Sequence, residues 1–156
     1  MIVIAEGIDR TGKTSFSRKL QSYGYIRLKD NSRRPQTKEE ETAKLLTFSS
    51  IVLNLHLEDK VVIDRLHLTE FVYGFIERGY FSTEALDVDE MLSIRDDVFL
   101  VLFKPLNLRN CETLHSRSLE QHSKLFEEFY EKSNIKRKFI CDINSYADLA
   151  WRISKL

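Results

Sequence analysis

The stretch EGIDRTGKTS, Glu6 to Ser15, sets Gly7, Gly12, Lys13 and Thr14 at the spacing G-x-x-x-x-G-K-[ST]. A loop of this kind turns its backbone N–H groups inward around phosphate oxygens, while its Lys and hydroxyl reach phosphate and Mg²⁺. It needs a strand before it and a helix after it, because the helix N-terminus supplies part of the attraction for the anion. The flanks supply both. MIVIAE is a short, apolar, β-branched run that reads as a buried parallel strand, and in KTSFSRKLQSYG Phe16 and Leu20 lie four apart, on one helical face.

The rest of the chain repeats that alternation. YIRLKD reads as a second strand, NSRRPQT as a polar loop, and KEEETAKLLTFSSIVLNLHLEDK as a long helix that Thr37 can cap with Glu40 at capping-box spacing. KVVIDR is a third strand and LHLTEFVYGFIERG an amphipathic helix closed by Gly79. STEALDVDEMLSIRDD is a further helix with Ser82 or Thr83 near its start, DVFLVLFKP the fourth strand, KRKFICD the fifth, and SYADLAWRISKL the last helix. Strands alternating with helices predict an α/β fold, a five-stranded parallel sheet covered on both faces. No repeat or composition break divides the chain, so residues 1–156 read as one domain. Leu106 to Asn134 looks least like core and reads either as a lid over a phosphate site or as two solvated helices and a turn.

Bulk properties narrow the partners. Lys+Arg and Asp+Glu both number 24, which leaves no net field to draw the whole molecule onto nucleic acid or an anionic membrane. Hydrophobic residues make up 42%, enough for a folded globule. No apolar run approaches the roughly 18 residues of a membrane helix. Cys111 and Cys141 are too far apart for a metal knuckle, and the chain begins on a strand rather than a leader, so a reduced, cytoplasmic protein is expected.

Within the loop, Lys13 would neutralise the phosphates of a triphosphate and Thr14 would hold Mg²⁺, which for phosphoryl transfer is much of the catalysis. Asp64 and Arg65 stand at the C-terminal end of the third strand, the edge where open α/β sheets bind ligands. There a carboxylate can reach Mg²⁺ and a guanidinium can grip phosphate bidentately. His67, His115 and His122 have no acid at a telling spacing and read as packing or surface residues.

Two stretches, EGIDRTGKT from Glu6 to Thr14 and DRLHLTEFVYG from Asp64 to Gly74, resemble the thymidylate kinases among the P-loop nucleoside monophosphate kinases. The resemblance implies the three-layer sandwich of P-loop NTPases, with ATP and Mg²⁺ as cofactors and Gly7, Arg10, Thr11, Gly12, Lys13, Thr14 and Ser15 around the donor. It implies that Thr14 and Asp64 hold the metal, and that Lys13, Arg10, Asp64 and Arg65 serve catalysis. By the same resemblance Asp9 contacts the acceptor sugar and Arg10 reaches the transferred phosphoryl group. Arg65 binds the acceptor phosphate, Thr69 and Tyr73 line the sugar and base pocket, Arg33 or Arg34 is the basic residue after the second strand, and Phe48 stacks on the base. Phe48 also fits an apolar helical stripe, which is ordinary core. Arg117, with Arg109 second, is the candidate lid arginine.

The departures are specific. Where family members carry a base-reading arginine one turn beyond the stacking aromatic, this chain has Val52, and Glu70 puts an acid beside the base pocket. The chain is shorter than typical members, which implies a more open pocket and would suit a bacteriophage. The acceptor implied is a (deoxy)pyrimidine nucleoside monophosphate; the alternatives are a deoxynucleoside or a hydroxymethylated pyrimidine in phage DNA, and after them a nucleotide binder without turnover. Monomer and homodimer are both open, and no membrane partner is expected.

Overall fold

A computed structural model describes residues 1–29, 37–107 and 119–156. Its strands are β1 (Ile2–Glu6), β2 (Ile26–Leu28), β3 (Val61–Asp64), β4 (Val98–Phe103) and β5 (Arg137–Cys141). Its helices are α1 (Lys13–Gln21), α2 (Lys38–Leu53), α3 (His67–Arg78), α4 (Thr83–Ser93), α5 (Leu119–Lys132) and α6 (Tyr146–Ser154). The strands form one parallel sheet in the order β2-β3-β1-β4-β5.

Alternation along the strands divides the core into two layers. Ile2 and Ile4 of β1, Val61 and Ile63 of β3, and Val98, Leu100 and Leu102 of β4 face one cluster, filled in from α2, α3, α4 and α5. Val3, Ala5, Val62, Phe99, Val101 and Phe103 face the other, against Phe16 and Leu20 of α1 and Leu149, Ala150 and Ile153 of α6. The three-layer α/β sandwich expected from the sequence is therefore present. β1 lies between β3 and β4: the chain runs from β1 to the β2–β3 side and then crosses from β3 to β4 on the other, so the crevice at the C-terminal end of β1 is a topological switch point.

Local signals place several boundaries as expected. The Thr37 side chain accepts from Glu40 N at 3.2 Å, Ser82 caps α4 by accepting from Ala85 N, and Gly79 ends α3 at φ 72°. Two expectations need correction. The long helix after Thr37 stops at Leu53, because Asp59 folds back: its carboxylate accepts from His56 N at 2.8 Å and its own N–H donates to His56 O at 3.1 Å. Leu119–Lys132, taken as lid or solvated helix, builds core, with His122, Phe126 and Tyr130 buried. Residues 108–118 of that segment, with Arg109, Cys111, His115 and Arg117, lie outside the described residues, as do Arg33 and Arg34. No helix among the described residues is long and apolar enough to cross a membrane.

Candidate active site

The loop after β1 is shaped by three left-handed residues, Gly7 at φ 128°, Arg10 at 60° and Gly12 at 102°. Gly7 is required for close approach as well, since a Cβ there would stand 2.4 Å from the Phe103 carbonyl oxygen. Gly12 precedes α1 with no side-chain cap, and the first turn holds no acid. The helix N-terminus thus presents its N–H groups and positive dipole end to whatever enters the crevice. Lys13 is buried, with its Nζ donating to the Ile8 carbonyl and 3.4 Å from Thr11 Oγ1. Thr11 is 2% exposed and donates to Ile8 O at 2.9 Å, so it braces the loop from behind.

Parallel pairing brings the end of β3 beside the loop. Asp64 accepts from Thr14 Oγ1 at 3.3 Å and from Arg27 Nη2 at 2.6 Å, an ion pair in which the Asp64 side chain is 3% exposed. Arg65 sits at φ 76°, held by its N–H donating to Ala5 O at 3.0 Å. Its guanidinium pairs with the Asp9 carboxylate and lies 5.8 Å from the centre of the Tyr73 ring. Arg10 and Arg65 are the two non-glycine residues at positive φ among those described, and such strain concentrates at functional sites.

A further wall of the crevice is set by α3. Its N-terminus has no local cap at Leu66; instead the fully buried carboxylate of Glu6 accepts from Leu66 N at 2.9 Å, from Leu68 N at 3.1 Å and from Thr69 Oγ1. The hydroxyl of Thr69 is therefore committed to Glu6, although the residue still lines the crevice.

These elements enclose a cleft of about 780 Å³. It brings together Asp9, Arg10, Gly12, Lys13, Thr14 and Ser15 from the loop side, Asp64 and Arg65 from β3, and Phe48, Thr69 and Tyr73 from the helices. Gly7 and Thr11 stay behind the loop and do not line it. Phe48 both packs against the core cluster and lines the cleft, so its two sequence readings are compatible. Val52 does not reach the cleft; it is fully buried in the core. A base-reading arginine therefore cannot be restored by substituting there, because the position points into the sheet-facing layer.

Sequence reasoning missed several lining residues: Lys29, Lys44, Glu77, Arg78 and Ile143, and behind them Arg27. Ile143, in the turn after β5, packs 3.4 Å from where a Gly12 Cβ would be and gives the loop an apolar flank. The histidines also find acids across space. His67 Nε2 is 2.9 Å from Asp89 Oδ1, and His122 Nε2 is 3.5 Å from Glu77 Oε1 with its ring 4.8 Å from that of Tyr73. Glu70 lines the cleft. Burial pushes its carboxyl up from the usual range, Glu6 adds to this, and Lys44, a hydrogen bond with Glu41, and Arg65 act the other way.

No family model matches the chain, and neither does any curated protein compared with it. Solved structures do. The YorR protein of Bacillus subtilis, in complex with phosphorylated GDP, superposes with a TM-score of 0.72 at 19% identity, covering 98% of this chain and 93% of that one. Thymidylate kinase from Candida albicans gives 0.66 at 14% identity, over 99% of this chain and 90% of that one. Deoxyadenosine kinase from M. mycoides with bound dCTP gives 0.63 at 14% identity, over 97% of each. The chain has the fold that these structures share, the thymidylate and deoxyadenosine kinases among them.

Proposed function

We propose that the protein is a nucleotide kinase that moves the γ-phosphoryl of ATP to the 5′-phosphate of a (deoxy)pyrimidine nucleoside monophosphate. The observation that carries this is the continuity of one cleft from the Gly12–Lys13–Thr14 loop, past the Asp9–Arg65 pair, to Phe48 and Tyr73. Such a cleft takes a triphosphate at one end and a phosphate with an aromatic base at the other. The shared fold of thymidylate and deoxyadenosine kinases supports it.

In this reading the donor phosphates lie on the loop N–H groups, and Lys13 exchanges the Ile8 carbonyl for phosphate oxygens. Ile143 flanks the donor base. Thr14 and Asp64 present a hydroxyl and a carboxylate, hard oxygen ligands that would hold Mg²⁺, whose charge would offset that of the phosphates. Arg65 grips the acceptor phosphate and is oriented by Asp9, which also meets the sugar. An oxygen of that phosphate attacks the γ-phosphorus, the bond to the bridging oxygen breaks, and the electron pair leaves with ADP. Arg10, exposed at the rim of the loop, meets the charge on the transferred group.

A monophosphate is the acceptor proposed because the Arg65 guanidinium beside Asp9 suits a phosphate. The test is transfer of labelled γ-phosphate, with Mg²⁺, to deoxynucleosides, their monophosphates and hydroxymethyluracil DNA, with Lys13→Ala as control. Label on a monophosphate that Lys13→Ala abolishes is the expected result. Label only on a nucleoside or on DNA overturns the acceptor, and none anywhere overturns the kinase.

A further inference from the structure

The edge strand β2 puts a cation behind the carboxylate that the reading above gives to Mg²⁺. In the parallel register Arg27 stands opposite Val62, and Val62 and Asp64, two apart on β3, share the sheet face covered by α1. Arg27, Asp64 and Thr14, from the first turn of α1, meet on that face. Asp64 and Thr14 line the cleft and Arg27 does not. It reaches Asp64 from behind the wall.

Both contacts fall on one oxygen. Arg27 Nη2 donates to Asp64 Oδ2 at 2.6 Å, and the Thr14 hydroxyl donates to the same Oδ2 at 3.3 Å. Asp64 Oδ1 accepts from none of the described residues. The Arg27 guanidinium has no second carboxylate among them, and its Nε is buried without an acceptor. Arg27 is thus committed to Asp64, and to one side of it. The carboxylate is held against rotation, with Oδ1 left as the oxygen through which it can meet a ligand. Because the Thr14 proton is directed at Oδ2, the lone pairs of that hydroxyl remain available as well.

Charge follows from the same geometry. Arg27 offsets the single negative charge of Asp64 at hydrogen-bond distance, and the buried Lys13 adds a further positive charge in the loop. A hydroxyl and a charge-offset carboxylate hold a divalent cation weakly until phosphate oxygens supply negative charge. We infer that Arg27 is a positioning residue of the metal site: it offers Asp64 to the ion by one oxygen, and it keeps Thr14 and Asp64 from loading a divalent cation before a nucleotide brings its phosphates. The inference rests on Thr14 and Asp64 as the metal-holding residues of the reading above. Without Arg27, Asp64 regains its full charge and a second open oxygen, and the nucleotide-free protein takes the ion directly.

The test is binding of Mn²⁺ alone, an ion that shares the oxygen-ligand preference of Mg²⁺, to the full chain without nucleotide. Loss of the free-ion signal in electron paramagnetic resonance reads affinity, and the rise in Tm that a ligand of the folded state produces reads it independently. Wild type should bind no better than Asp64→Asn. Arg27→Met should bind at least about 10-fold tighter than wild type, a modest share of what one adjacent unit charge is worth at a partly screened site. Arg27→Lys, which keeps the charge, should return binding toward wild type, and Asp64→Asn in the Arg27→Met background should abolish the gain. A merely structural role would lower the Tm of Arg27→Met and create no ion site. An Asp64-dependent site already present in wild type, no gain in Arg27→Met, or a gain that survives Asp64→Asn overturns the inference. Should Arg27→Met not fold, wild type against Asp64→Asn decides alone: equal, weak binding supports the inference and tighter binding by wild type overturns it. None of these measurements involves phosphoryl transfer, so absence of label from every acceptor overturns the kinase and leaves the role of Arg27 to the binding assay.

Discussion

Arg27→Ala removes the counter-ion of Asp64 and leaves a carboxylate whose side chain is 3% exposed. Breaking a fully buried pair by deleting one partner costs about 3–5 kcal/mol. Here Arg27 is 17% exposed and Thr14 Oγ1 still donates at 3.3 Å, which lowers the expected loss to about 2 kcal/mol. For a chain of 156 residues that is a fall in Tm of about 4–8 °C. The assay is thermal and urea unfolding of wild type, Arg27→Ala, Asp64→Asn and the double variant, with EDTA present so that no divalent cation takes Arg27's place. The double variant should recover at least about 1 kcal/mol relative to the sum of the singles. A loss under about 0.5 kcal/mol in Arg27→Ala, or additive singles, would show that solvent already screens the pair and refute the reasoning.

Arg10→Gly should separate stability from activity: relief of the left-handed backbone raises stability by about 1 kcal/mol, while loss of the guanidinium lowers kcat by roughly 10²-fold or more, and wild-type kcat would remove Arg10 from the mechanism. Val52→Arg should destabilise by about 3 kcal/mol or more, since it buries a guanidinium among apolar side chains, with no gain in dTMP use; a stable variant with improved dTMP kinetics would place the residue in the cleft instead. Asp89 is buried, which alone would raise its pKa, but bonds from His67, Ser133 and Asn134 outweigh this and hold it below the usual carboxylate value. Its folded pKa thus lies under its unfolded one, so the stability it contributes is present above about pH 4 and drains as pH falls through the folded value; urea midpoints of Asp89→Asn should show a flatter acid limb.

What the sequence made legible was what is local. The strand–loop–helix unit at Glu6–Ser15, the Thr37 cap and the Gly79 stop each depend on residues within a few positions of one another. The order of elements then followed from alternation. The site was half legible, because Lys13, Thr14, Asp64 and Arg65 sit in recognisable runs, whereas Arg27 reaches Asp64 across 37 residues, Glu6 caps α3 across 60, and Arg78 meets Glu41 from another helix. No spacing rule links such pairs. Val52 misled for a related reason: a position transferred by its distance from Phe48 along the chain takes no account of the face on which α2 packs. The helix α5 looked solvated because its many charges outnumber the few residues, Phe126 and Tyr130 among them, that bury it.

The Glu6 carboxylate, last in β1 and fastened to the head of α3, puts the Gly12–Lys13 loop and α3 on a common mount. In the proposed reaction the span between donor and acceptor phosphates is then a fixed gauge: α3 cannot slide to admit a bulkier acceptor without pulling on the strand that launches the loop. Change of substrate in such a scaffold has to be written into the far half of α3 and the facing side of α2, where Glu70, Tyr73, Arg78 and Phe48 stand, and the near half is left to keep time for the chemistry.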